Sequence, residues 1–126
     1  MDLQWQRQTE LWLRLMDFPH ETVAPILTLN QGLDTWYLEQ RGERARLTLA
    51  RKLPEIQLHN ALLRLLGLLQ PEAGNGIPLR AWLTRDSLWL SAMAPPQSGA
   101  ELWFSLSRRQ RYLFDRITVN SNENNQ

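Results

Sequence analysis

His20, His59, Ser87 and Asp86 are the side chains from which a hydrolytic or metal-assisted reaction would have to be assembled, and their spacing assembles neither. His20 stands beside Pro19 and His59 lies inside a Leu-rich run, each without a second ligand at metal-binding spacing. Ser87 and Asp86 belong to no nucleophile elbow, and no Gly-rich loop is built to cradle phosphate. The chain contains no Cys, which removes thiol catalysis, thiolate metal sites and disulfides together and suits a reducing compartment. No catalytic residue, metal or cofactor is assigned, and the expectation is a binding protein rather than an enzyme.

Recognition chemistry is better represented. Arg41, Arg44, Arg46, Arg51 and Lys52, followed later by Arg108, Arg109 and Arg111, would track phosphates if Trp side chains stacked on bases beside them. Glu39, Glu43, Glu55 and Asp115 are interspersed, however, and the formal charge of the 126 residues is only +1. Solvated, salt-bridged faces explain that pattern with less coincidence, so nucleic acid is the weaker reading. Among the six Trp residues, Trp36, Trp82 and Trp89 fall on predicted strands, where they either line a groove for a partner segment or pack as core. Trp82 and Trp89 lie opposite the aliphatic set Leu79, Ala81, Leu83, Leu88 and Leu90, which favours the groove. Trp5 and Trp12 are expected to pack a first helix against the sheet.

The strongest apolar signal is the segment from Pro54 to Gln70. Leu58, Leu62, Leu65 and Leu69 follow one helical row, whereas Ile56, Leu63 and Leu66 lie on another. One row can face the protein's own sheet, and the other then requires a second surface: a partner subunit or, if the helix is central to a monomeric core, another part of the fold. Around it the pattern predicts helix, three strands, helix, hairpin and helix. Asp2 caps a first helix that Phe18-Pro19 ends. Alternation over residues 26–30, 36–39 and 45–50, punctuated by Gly32 and Gly42, marks the strands, and a loop through Pro71 and Gly74-Asn75-Gly76 leads to the hairpin at 79–84 and 88–93. Ser98 and Glu101 have capping-box spacing for a last helix with an apolar row of Leu102, Leu106, Leu113 and Ile117, widened by Trp103 and Phe114. The fold class is α+β, in the order α-β-β-β-α-β-β-α. Residues 1–118 form one domain and 119–126 a disordered polar tail. No secretory signal and no apolar run of about 20 residues is present, so a soluble cytoplasmic protein without stable membrane insertion is expected.

Read together, Ala24-Pro25-Ile26-Leu27, Leu38-Glu39-Gln40-Arg41-Gly42, Leu47-Thr48-Leu49-Ala50-Arg51-Lys52-Leu53 and Gly76-Ile77-Pro78-Leu79-Arg80-Ala81-Trp82-Leu83 resemble the SycN family of type III secretion chaperones in content and order. The Pro-Leu-Arg-Ala element after a Leu-rich helix is the most specific part. The resemblance implies a class I secretion chaperone in which helices pack on a twisted antiparallel sheet and two subunits meet through the middle helix. Leu58, Leu62, Leu63, Leu65, Leu66 and Leu69 are then the interface candidates, and Trp36, Trp82 and Trp89 the cargo-binding candidates. The implied partners are a second small chaperone, YscB-like, and the N-terminal region of a YopN-like gatekeeper, with contact at the secretion apparatus. A homodimeric chaperone for another effector is the nearest alternative. The near-neutral charge departs from the acidity of many class I chaperones, and the third strand reads as shorter than its family counterpart.

Overall fold

The computed structural model describes residues 2–70, 73 and 76–124, and for 119–124 the backbone alone. In chain order the elements are α1 (Leu3–Leu15), β1 (Ile26–Gln31), β2 (Asp34–Arg41), β3 (Arg44–Lys52), α2 (Glu55–Leu68), β4 (Leu79–Leu83), β5 (Ser87–Met93) and α3 (Ala100–Asn124). The α+β order expected from the sequence is the observed one. All neighbouring strands are antiparallel, and the sheet runs β1-β2-β3-β5-β4.

Local chemistry sets the ends of these elements. Asp2 accepts a hydrogen bond from the Trp5 amide at 2.6 Å, which satisfies one of the free donors at the start of α1. At its other end the Phe18 amide reaches back to the Leu13 carbonyl and that of Asp17 to Arg14, with Asp17 in the left-handed region at φ 68°. This paired closure reverses the chain before Pro19. The tight hairpins β1–β2 and β2–β3 turn on Gly32 and Gly42, at φ 63° and 62°, a conformation a side chain would oppose.

Register assigns the two sheet faces. Leu29, Trp36, Leu49, Leu90 and Ala81 form one row across all five strands, and Leu27, Leu38, Leu47, Ala92 and Leu79 form a second. Both rows face the helices and provide the sheet's part of the core. Above them α3 lies over β3, α2 over β4 and β5, and α1 rests on α3. The Gln110 amide of α3 reaches into the sheet and donates to the Leu47 and Leu90 carbonyls at 2.9 and 3.1 Å. All three helices therefore cover one face and leave the other open.

Several sequence expectations require correction. The third strand extends beyond the expected 45–50, to nine residues from Arg44 to Lys52. The Ser98–Glu101 box does not form: Ser98 donates to the Pro95 carbonyl at 2.6 Å and accepts from the Trp103 indole at 3.1 Å. The Ala100 amide that opens α3 instead donates to the Gln8 side chain of α1 at 2.8 Å. Trp5 and Trp12 meet α3 more than the sheet. The Trp12 indole donates to Ser107 at 3.2 Å, and the Trp5 ring lies 5.3 Å from that of Trp103. Residues 119–124, expected as disordered tail, continue the α3 backbone helix, while Asn125 and Gln126 lie outside the described residues. Most of the expected loop at 71–75 lies outside them as well.

Candidate functional site

Two surfaces stand out, on opposite sides of the core. The first is the outward row of α2. Leu58 and Leu65 are buried in the protein's own core, and Leu62 and Leu69 are packed against it, so this row serves the fold. That corrects the expectation that Leu58 and Leu65 are available to a partner: each points down onto β4, β5 and α3. The opposite row is unpartnered, with Ile56 at 87%, Leu63 at 54% and Leu66 at 47% exposure. Ile56, which begins this row, belongs with Leu63 and Leu66 rather than with the buried leucines.

The second surface is the sheet face without helices. Trp89 on β5 is stacked between Tyr37 of β2, at 5.4 Å between ring centroids, and Trp82 of β4, at 5.8 Å. The intervening strand makes this row possible. β3 presents only Thr48 and Ala50 beneath it, and these small side chains let Tyr37 and Trp89 meet diagonally across β3. The Trp89 indole also donates to Thr84 at 2.7 Å, fixing its ring at the end of the hairpin. Trp82 terminates the row with 40% of its surface exposed.

Trp36 is absent from this surface. It is 1% exposed, shares the helix-facing parity of Leu38, and lies beneath the Arg111 guanidinium at 5.4 Å. The expectation that it lines a groove is withdrawn, and Tyr37 takes the place on the open face. The signal was present in the sequence: residues 36 and 38 alternate together, and their aliphatic cross-strand neighbours mark the core side. His20 and His59 are both exposed, and no cluster of three metal-ligating residues occurs among the described residues.

A charged node secures the sheet behind these surfaces. Arg51 of β3 makes a two-pronged pair with Asp34 of β2, at 2.6 and 2.8 Å, and reaches Asp115 of α3 at 2.8 Å. Its guanidinium lies over the Phe114 ring at 5.6 Å. Burial disfavours the charge, but the bonds to Asp34 and Asp115 outweigh that and hold the Arg51 pKa above its ordinary value. A helix-facing charge at this depth is tolerable because both carboxylates answer it.

The fold is α+β, with one sheet, helices on one of its faces, and two exposed apolar surfaces among the described residues. The SsaM family model matches residues 2–117, and the chain belongs to that family. It is 34% identical over 110 residues to the secretion system apparatus protein SsaM of Salmonella typhimurium, covering 86% of this chain and 88% of that relative. Among solved structures, YbjN of E. coli shares the fold with a TM-score of 0.58, over 94% of this chain and 92% of that one, at 9% identity. The secretion context expected from the sequence is met in the name of the Salmonella relative, and the family shown is SsaM. No helix among the described residues is long and apolar enough to cross a membrane.

Proposed function

We propose that this chain is a type III secretion chaperone without enzymatic activity, which pairs through the outward row of α2 with a second small chaperone and holds the N-terminal region of a secreted gatekeeper. The observation that carries the reading is the division of α2 into a buried row and an exposed one, in a member of a secretion apparatus family. Covering Ile56 gains about 1.5 kcal/mol or more and covering half-exposed Leu63 and Leu66 roughly half as much each, so three on one helical face make a favourable seam for a partner. Of the two edge strands, β4 lies under α2, while β1 carries exposed Ile26. An extended cargo segment would add there as a strand and place apolar side chains on the aromatic face, keeping the segment non-globular before export. Cofactors, nucleic acid and membrane insertion have no part in this reading.

Co-expression with the small proteins of a secretion operon, followed by affinity purification and light scattering, tests it. The expected product is a complex with the mass of one copy of this chain, one second chaperone and one cargo segment. A homodimer that binds an effector would replace the heterodimer by its nearest alternative. A chain that stays monomeric and captures no secretion protein would refute both.

A further inference from the structure

The open sheet face is uneven in charge. Beside the aromatic row lies a groove of about 680 Å³ bounded by Arg44 and Arg46 of β3, Arg80 and Trp82 of β4, and Met93 of β5. Ser91 lines it between β3 and β4, its hydroxyl held by that of Thr48 at 3.0 Å. The three guanidiniums differ in how they are answered. Arg46 is hydrogen-bonded to the Glu39 carboxylate. Arg44 donates at 3.0 Å to the Ala94 carbonyl and at 3.4 Å to that of Met93, neutral acceptors that orient the group without cancelling its charge. Arg80 meets no carboxylate or ring among the described residues. Two uncompensated cations therefore flank an apolar wall of Trp82 and Met93.

We infer that this groove selects an acidic stretch of the secreted partner, with carboxylates at Arg80 and Arg44 and an apolar side chain between them against Trp82 and Met93. The inference takes its occupant from the chaperone reading above. Charge complementarity gives the sign, and strand geometry gives the pattern: alternate residues of an extended peptide face the same side roughly 7 Å apart. A peptide suits the aromatic row better than single-stranded nucleic acid does. Both faces of Trp89 are already occupied, by Tyr37 and Trp82, so no base can stack on it.

The test uses the full chain and two soluble peptides of about ten residues, one carrying Glu, Leu and Glu at every second position with Ser between them and the other Gln, Leu and Gln in the same places, with binding read by fluorescence anisotropy. The Glu peptide is expected to bind about tenfold more tightly at low salt, each partly exposed ionic contact contributing a factor of a few, with the preference fading as salt rises. Arg80→Gln should remove most of that preference, while Arg80→Lys keeps part of it. Equal binding of the two peptides, or a preference that survives Arg80→Gln together with Arg44→Gln, overturns the inference. So does tighter binding of an oligothymidine probe, which would make the groove a phosphate site. Loss of capture of a co-expressed secretion protein on Trp82→Ser, with no charge preference among peptides, would sink this inference and leave the chaperone reading standing. A clear charge preference in a chain that captures no secretion protein would support the inference and remove that reading.

Discussion

Arg51 shows how one side chain can hold three elements. It joins β2 through Asp34 and α3 through Asp115 and Thr118, on the helix-facing side of the sheet where an unanswered charge is costly. Arg51→Met should lower stability by about 3 kcal/mol, because the remaining Asp34 carboxylate stays buried without its partner. Urea unfolding would measure this, and a change below about 0.5 kcal/mol would show the pair to be dispensable. Asp2 has a different role, at an exposed helix start. The Trp5 amide first, and the Gln40 side chain second, hold its pKa below the ordinary 3.8. A carboxyl depressed on folding stabilises the fold above its unfolded pKa and loses that contribution as pH falls through the folded value. The thermal midpoint of wild type relative to Asp2→Asn should therefore decline on acidification below about pH 4, and a constant difference from pH 7 down to pH 2 would remove the charged cap from the account.

α2 has one buried and one exposed apolar side, and substitutions should separate them. Leu65 is fully buried, so Leu65→Ala should cost about 3 kcal/mol of stability through lost burial and a cavity, whether or not a partner is present. Leu66→Asp changes the exposed side. The isolated chain should keep its stability within about 0.5 kcal/mol, while the proposed complex with a second chaperone should dissociate because a charge would be buried unpaired. Light scattering on the co-expressed pair decides the matter: a Leu66→Asp complex of unchanged mass would place the interface elsewhere. The start of α3 illustrates a different dependence on context. Its cap comes from Gln8 of another helix, and Gly99 leaves room for that side chain, since a Cβ there would stand 2.6 Å from the Gln8 oxygen.

At the scale of the molecule, placing every helix on one sheet face leaves the other open. Trp82→Ser combined with Trp89→Ser removes two thirds of the aromatic row but touches neither Ile56, Leu63 nor Leu66. Cargo capture should weaken about tenfold or more, as expected when two partly exposed aromatic anchors are truncated, while assembly with the second chaperone persists. Hydrogen exchange on co-purified cargo supplies the complementary view. Protection near the cargo N-terminus is expected, and protection confined to its folded C-terminal region would contradict capture of an extended segment.

The order of elements was legible in the chain because period-two alternation, the Leu-rich helical rows and the turn glycines are local signals that the tertiary fold did not override. The two rows of α2 could be separated for the same reason, through helical spacing alone. Which row is buried, however, depends on where β4, β5 and α3 lie, and no spacing within α2 contains that. Trp36 and Tyr37 were neighbours of opposite parity, and cross-strand register decided that the Trp enters the core while the Tyr joins Trp89 and Trp82 outside. The Gln8 cap, the Arg51 node and the uncompensated Arg80 beside Arg44 likewise join residues distant in sequence. Sequence by itself determined the elements and their apolar faces, since these follow from nearby residues; only the tertiary structure decided which faces remain open, because burial depends on everything packed above them.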